Sequence, residues 1–467
     1  MNKHNILVVL TCLLIVFATV LTACGGGGDD NGAETTKRPK KTTEKTEATT
    51  AATTAPMVTA NNLVAQIDKS DVNNVLCRMP NGEGVEIEIF DGDPTYDGVT
   101  IELNYIGWPT ICKGDGDTLY AVGSARLEHV EPFGTTVFME SHDAGVTWSK
   151  PRVIVDSPLD DRDAGIVYMG NGRMVVSWFT ADVQPYIDGD ASYWRNRPNV
   201  SEEQESAMLA RWETMSLAQK QGGSYVMYSG DYGKTWGEPI QVPVSAPHGP
   251  TLGADGKTLY YFGHLSNPSA AGFNLDVSKL HVIYSTNYGQ SWKHFSEVTK
   301  PTGLSSYEPH LIQLTDGSFV AACRSDTNPA DETGNRGMAV FTCTSKDGRT
   351  WTSMKRVAQD MFGGPPHLLQ LKNGVVVLTY GYRLNPCGNR VRLSYDGGKT
   401  WGKEIVLCAS VTPKVSDMGY PSTIELDDGT LITAYYQPYS QADKNGNNKG
   451  ELICSFLYTR WTLVEAG

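Results

Sequence analysis

The 467-residue sequence predicts an all-β fold, a six-bladed β-propeller of four-stranded antiparallel blades. Three observations carry this. One turn motif recurs five times, a second glycine-bearing turn recurs six times, and the composition (9% aromatic, 48 Gly, 24 Pro) suits short strands joined by many turns.

The first motif reads S-Y-D-G-G-K-T-W at 394–401. Its copies are S-H-D-A-G-V-T-W at 141–148, S-G-D-Y-G-K-T-W at 229–236, S-T-N-Y-G-Q-S-W at 285–292 and the shorter S-K-D-G-R-T-W at 345–351. The chemistry is that of a hairpin: Asp or Asn accepts hydrogen bonds from its own turn, Gly takes a positive φ, and Trp leaves as an apolar anchor. Five copies at similar spacing form a repeated supersecondary unit, which points to a propeller or a solenoid. The second turn joins two short apolar runs and places glycines at Gly116, Gly172, Gly256, Gly317, Gly374 and Gly429, at intervals of 56, 84, 61, 57 and 55 residues. Six such hairpins count six blades, each running strand, tight turn, strand, loop, strand, motif, strand. The sixth runs out of chain, and the alternating V-E-I-E-I-F at 85–90 is expected to supply its missing outer strand.

The second interval exceeds the first by 84 − 56 = 28 residues. Within it, S-E-E-Q at 201–204 reads as a capping box and Met208, Leu209, Trp212 and Met215 recur at helical spacing. A helical insertion in blade 2, packed onto the propeller, is predicted.

At the amino end, Lys3 and His4 precede an apolar run that closes on L-T-A-C at 21–24, before four glycines. That resembles the lipobox of bacterial lipoproteins and implies residues 1–24 as signal and lipobox, with Cys24 lipidated and the chain held outside the cytoplasmic membrane. Residues 25–56 have almost no large apolar side chains and are expected to be a disordered tether. Residues 57–100 form a lead-in with a short helix near 57–80, and 101–467 the propeller. The formal net charge of −13 argues against a nucleic-acid partner. Beyond Cys12 and Cys24, seven scattered cysteines without a C-x-x-C pair suggest neither a disulfide framework nor a zinc site.

The strand order selects a functional face. If both kinds of turn lie at one end, every innermost strand begins at the other. Its openings are Gly107-Trp108-Pro109, Asp161-Arg162-Asp163, His248-Gly249-Pro250, Tyr307-Glu308-Pro309-His310, Pro365-Pro366-His367 and Gly419-Tyr420-Pro421, and second-strand ends add Arg126, Phe179, His264, Arg324, Arg383 and Tyr435-Tyr436. A rim that collects Arg, His, Tyr and acids is a ligand-binding rim. Three imidazoles, His248, His310 and His367, converge there. Without an accompanying ligand motif they are expected to bind sugar or brace a loop, and no metal or other cofactor is predicted.

The S-x-D-x-G-x-T-W turns resemble the Asp-boxes of the sialidase superfamily of β-propellers, over roughly residues 100–462. The resemblance implies an extracellular exo-glycosidase that removes a terminal acidic sugar from glycans with retention, through a Tyr nucleophile, since a carboxylate nucleophile would repel an anionic sugar. The stretch 308–324 is similar to the segment carrying the catalytic Glu and a carboxylate-binding Arg, which implies those roles for Glu308 and Arg324. G-Y-P-S at 419–422 is similar to the nucleophile segment and implies Tyr420. N-P-C-G-N-R at 385–390 is similar to the segment of a further carboxylate-binding Arg and implies Arg390, with Arg383 a close competitor. Two departures stand out. Gly107-Trp108-Pro109 stands where the family has Arg-Ile-Pro, so the first triad Arg is absent, and the acid/base Asp expected shortly after Arg126 is missing, with Glu128, His129 and Glu131 nearby. Arg162 and Asp163 reach the same rim and either supply one charge of each kind or, with Asp161, brace a loop by ion pairing. Two other readings follow: a non-catalytic carbohydrate-binding propeller, or a glycosidase using Glu308 and Asp163 as a carboxylate pair.

Overall fold

The apolar runs beside each tight turn pair as antiparallel strands, and successive strands step outward from a common axis. The structure, a computed structural model, describes residues 63–78, 105–126, 129, 134–181, 202–220, 222–266, 272–326, 337–410, 416–442 and 448–465. The expectations for Cys24, the tether at 25–56 and the strand at 85–90 fall outside these residues, as do Glu128 and Glu131.

Four sheets stand alone as blades. The first comprises Asp160–Tyr168, Met174–Ala181, Gly223–Ser229 and Ile240–Val242, and the second Val244–Ser245, Thr251–Leu252, Leu259–Leu265, Lys279–Ser285 and Lys293–Thr299. The third comprises Ser305–Gln313, Phe319–Asp326, Ala339–Ser345 and Lys355–Arg356, and the fourth Gly363–Gln370, Val376–Tyr382, Gly388–Ser394 and Ile405–Ala409. The expectation of six separate four-stranded blades is corrected by the remaining strands, which form a single nine-stranded sheet. Its cause is the 18-residue strand Asn448–Glu465. One edge pairs with Leu431–Ala442, while the other pairs in turn with Leu63–Gln66, Asn74–Arg78 and, by a parallel bridge from Cys454 to Tyr105, the strand Tyr105–Lys113. The two ends of the propeller region are thereby hydrogen bonded to each other. Residues 63–78 form strands around a 3-10 turn at Lys69–Asp71, not the short helix expected near 57–80.

Helix is a small part of the described residues, confined to Glu202–Glu213, Leu217–Lys220 and that 3-10 turn. Leu209, Trp212 and Met215 pack against the apolar cluster shared by the first and last strands of the nine-stranded sheet. Arg211 fixes the segment by donating to the Asp156 carboxylate at 3.1 Å and to its carbonyl at 2.6 Å.

Apolar clusters fill the spaces between neighbouring sheets; one joins Leu314, Val320 and Ala322 to Leu368, Val376 and Leu378. The Asp-boxes staple these layers. In the first, Ser141 Oγ donates to Asp143 at 2.8 Å, Asp143 accepts the Thr147 amide (2.9 Å) and hydroxyl (2.6 Å), and Gly145 N donates to Ser141 Oγ at 2.9 Å. The Trp then reaches the preceding sheet: Trp351 Nε1 donates to Ser296 Oγ and Trp401 Nε1 to Thr342 Oγ1, each at 3.1 Å. Glycine is required at the turn because a Cβ on Gly398, at φ 81°, would lie 2.6 Å from Val320 of the neighbouring sheet.

Candidate functional site

Five inner strands carry the same irregularity at the rim opposite the Asp-boxes. An extra residue enters between Gly107 and Thr110, Arg162 and Gly165, Tyr307 and His310, Gly363 and Pro366, and Gly419 and Ser422. The bulged residue has positive φ: Trp108 56°, Asp163 51°, Glu308 50°, Tyr420 51° and, at the matching place after His248, Gly249 68°. Gly364 follows the pattern at 151° and is glycine for a packing reason, since a Cβ there would lie 2.9 Å from the Arg324 side chain. Non-glycine residues in this region cost of order 1–3 kcal/mol each, and a bulge re-aims its side chain. Here four strained positions aim Trp108, Asp163, Glu308 and Tyr420 into one opening.

The Tyr420 hydroxyl donates to Glu308 Oε1, and Arg324 Nη1 lies 2.7 Å from Glu308 Oε2. Arg383 stands over the Tyr420 ring at 5.8 Å and donates Nε–H to the Met418 carbonyl at 3.2 Å. Burial, reinforced by the Glu308 and Asp163 carboxyls, pushes the Tyr420 phenol well above its ordinary value, against the pull of Arg324 and Arg383. The phenol is therefore neutral, and its proton has one nearby acceptor, Glu308. The Asp163 carboxyl is pushed up to about 7, first by burial and further by Glu308, with Arg162 opposing. A carboxylic acid titrating there holds its proton close to neutrality and can release it.

A second cluster flanks the first across two aromatic rings. Trp108 lies 6.2 Å from Tyr420 and 5.9 Å from Tyr436, ring centre to ring centre. Beyond them Asp417 accepts from Tyr436 Oη at 2.6 Å and Tyr105 Oη at 2.9 Å, and pairs with His129 Nδ1 at 2.8 Å. Burial opposes ionisation, but the bonds from His129 and the two phenols win and hold the Asp417 carboxyl down at about 2. Together the two clusters present a neutral phenol hydrogen bonded to a carboxyl group, two guanidinium groups, an imidazole paired with a carboxylate and an aromatic wall.

A profile of the BNR repeat-like domain matches residues 199–442. The chain belongs to that family. No curated protein matches it. Among solved structures, a protein of unknown function from Dyadobacter fermentans is similar at 20% identity and a TM-score of 0.55, over 88% of this chain and 100% of that one. The K499G mutant of NanB sialidase from Streptococcus pneumoniae is similar at 12% identity and a TM-score of 0.51, over 81% and 70% of the respective chains. The fold of this BNR-repeat protein is thus that of a sialidase-like propeller.

The structure sorts the residues singled out in the sequence. Tyr420, Glu308, Arg324, Arg383, Asp163 and Trp108 come together at the opening. Arg390 does not. It is buried on the flank, bonded to the Asn389 and Cys408 carbonyls, each at 3.1 Å, and paired with Glu404 at 3.4 Å, so Arg383 is the arginine beside Tyr420. Arg162 is also committed elsewhere: its Nε lies 3.3 Å from Asp160, its Nη2 donates to the His129 carbonyl, and its guanidinium covers Trp108 at 4.9 Å. Arg126 repeats that arrangement, paired with the fully buried Asp160 and 4.8 Å over the other contact to Trp108. Asp161 faces away, accepting from the Ser157 amide and hydroxyl. Of the two readings of this stretch, ion-pair bracing describes Arg162 and proximity to the site describes Asp163.

His248, His310 and His367 do converge, with ring centres 4.5–5.6 Å apart, but as a buried plug on the axis rather than as a lining of the rim. His310 Nδ1 accepts from Leu368 N at 3.0 Å and His367 Nδ1 from Thr423 N at 3.3 Å, so both neutral rings carry their proton on Nε2. Burial lowers all three, His310 to about 3. The later halves of the inner strands then line an axial cavity of about 360 Å³ on the turn side of this plug. Sequence reasoning gave Asp417 no role, and a lone Asp two residues before Gly419 carries no pattern that could have found it.

Proposed function

We propose that the protein is a glycosidase of the sialidase type that hydrolyses a terminal sugar from extracellular glycans through Tyr420. The observation that carries this is the Tyr420–Glu308–Arg324 chain of contacts. A phenol near pKa 10 is a poor nucleophile until a base takes its proton, and Glu308 is hydrogen bonded to receive it. Arg324 holds Glu308 in place, and together with Arg383 it favours a substrate with an anionic group near the reacting carbon. In the first step the Tyr420 oxygen bonds to that carbon while its proton passes to Glu308 and the leaving oxygen departs protonated. In the second step water gives a proton to the group that protonated the leaving oxygen as it attacks the sugar and displaces Tyr420, which recovers its own proton from Glu308. The protonated Asp163 carboxyl supplies a proton donor inside the pocket.

A non-catalytic glycan-binding propeller is the second reading. It is favoured by the opening of the first inner strand, where Gly107 stands at the resembling family's first arginine and the next residue, Trp108, is covered by Arg126 and Arg162. Incubating the protein with 4-methylumbelliferyl α-sialoside and a panel of other aryl glycosides separates the two, because only an enzyme releases the fluorophore. Tyr420→Phe should lower turnover by roughly 10³-fold or more with the fold intact. Arg383→Ala should raise KM for an acidic substrate, while Arg390→Ala should leave KM unchanged. Near-normal turnover by Tyr420→Phe would transfer the nucleophile's role to the Glu308 and Asp163 pair. The Cys24 lipobox places the enzyme at the outer surface of the membrane in this reading, and Cys24→Ser should move it to the soluble fraction; unchanged membrane partition would reject that anchor.

A further inference from the structure

The second cluster has the arrangement of an acid/base dyad, and Asp163 does not account for it. A leaving group departs toward solvent, because the rest of the glycan extends there, and the same group must later admit water. Asp163 sits within the pocket wall beside Glu308, whereas the His129 side chain is 45% exposed. Resting on the glycosidase reading above, we infer that His129 is the catalytic acid/base for the leaving group and that Asp417 is its positioning residue.

Five contacts hold His129 for this task. Asp417 Oδ1 lies 2.8 Å from Nδ1, which directs Nδ1–H to the carboxylate and leaves Nε2 as the free end of the ring. Tyr105 Oη, 3.1 Å from Nδ1, donates to the other Asp417 oxygen and keeps that carboxylate fixed. Trp108 meets the imidazole edge-on at 5.2 Å. The backbone is clamped as well, since the His129 carbonyl accepts from Arg126 Nη1 at 3.2 Å and from Arg162 Nη2. This explains why two arginines at the rim are turned from substrate: both are anchored on Asp160 and grip the residue that carries the imidazole. Among the described residues, the charged and titratable groups facing His129 are thus Asp417 and Tyr105 at the ring and Arg126 and Arg162 at the carbonyl.

The proton balance closes. In the first step the Nε2 proton passes to the glycosidic oxygen as its bond to the sugar breaks, while Tyr420 bonds to the sugar and gives its own proton to Glu308. In the second step water loses a proton to Nε2 as it attacks, the bond from sugar to Tyr420 breaks, and Glu308 returns its proton to the phenol. Both groups end as they began.

The test varies the leaving group. For the sugar that the wild type accepts in the aryl glycoside panel, the aryl glycoside is compared with the same sugar linked to lactose. Aryl oxygens depart without help and sugar oxygens do not. His129→Gln should therefore lose about 10²- to 10³-fold on the lactoside and less than about tenfold on the aryl glycoside. Added azide should raise aryl glycoside turnover in the variant and yield the glycosyl azide. Asp417→Asn should lower kcat on the lactoside while leaving its KM and the aryl glycoside little changed, because the carboxylate that orients the ring through Nδ1 is gone. Equal losses on both substrates or no loss on either in His129→Gln, or no selective loss of lactoside kcat in Asp417→Asn, would overturn the dyad while leaving Tyr420 untouched. A wild type that turns over no glycoside defeats this inference and the glycosidase reading together.

Discussion

The two ends of the blades use the same backbone device to different purposes. At the Asp-box end, positive φ falls on adjacent pairs, Ala144-Gly145, Tyr232-Gly233, Tyr288-Gly289 and Gly397-Gly398, and on Gly348 in the shorter copy, and Ser and Asp or Asn saturate each turn in nearly the same way five times over. At the rim, positive φ falls on Trp108, Asp163, Glu308 and Tyr420, which share nothing chemically. The rim shifts its titratable groups in both directions, with Asp163 raised and Asp417 lowered where the Asp-box carboxylates Asp143 and Asp231 are only lowered, and leaves Arg324 Nε buried without a hydrogen-bond partner among the described residues. Repetition marks the end that holds the blades together. Divergence within one backbone geometry marks the end that meets a ligand, because only there does each position need a different functional group.

Three substitutions test that contrast, the largest expected effect first. Asp160→Ala strands the buried Arg126 guanidinium and should cost about 3–5 kcal/mol in chemical denaturation. A loss no greater than that of an Asp-box variant would mean that the rim is not the more committed end. Asp163→Asn should stabilise the protein at pH 8 and progressively less toward pH 4, read as Tm against pH. The folded carboxyl keeps its proton up to about 7, whereas the unfolded one releases it near 3.8, so wild-type stability falls as pH rises between those values and the amide escapes that loss. A pH-independent difference between the two would remove the claim that Asp163 is held protonated. The smallest effect belongs to Asp143→Ala. The Thr147 hydroxyl and amide hold that carboxylate down at about 2, so its stabilisation is present above pH 4 and fades as pH falls toward 2. A small decrease in Tm with unchanged KM is expected, and a changed KM would show that the two ends are coupled.

By itself the sequence determined the repeat. Asp-box chemistry and tight-turn glycines are local, set by residues within a few positions of one another, so they can be read without knowing what lies across the axis. The same locality made the inner-strand openings legible as a list, including Tyr420, Glu308 and Arg324. What it could not give is which side chains spend their charge on one another. Arg162 and Arg390 read as well as Arg383 did, yet Asp160 and Glu404, the one fully buried and the other on a strand-flanking loop, claim the first two. The bonds that tie Asp417 to Tyr105, His129 and Tyr436, and the strand Asn448–Glu465 that merges two expected blades into one sheet, likewise join segments hundreds of residues apart or at opposite ends of the chain. Only the tertiary structure decided these, because hydrogen bonds and ion pairs depend on distance in space, and a circular arrangement brings the first and last strands together with no local signal to announce it.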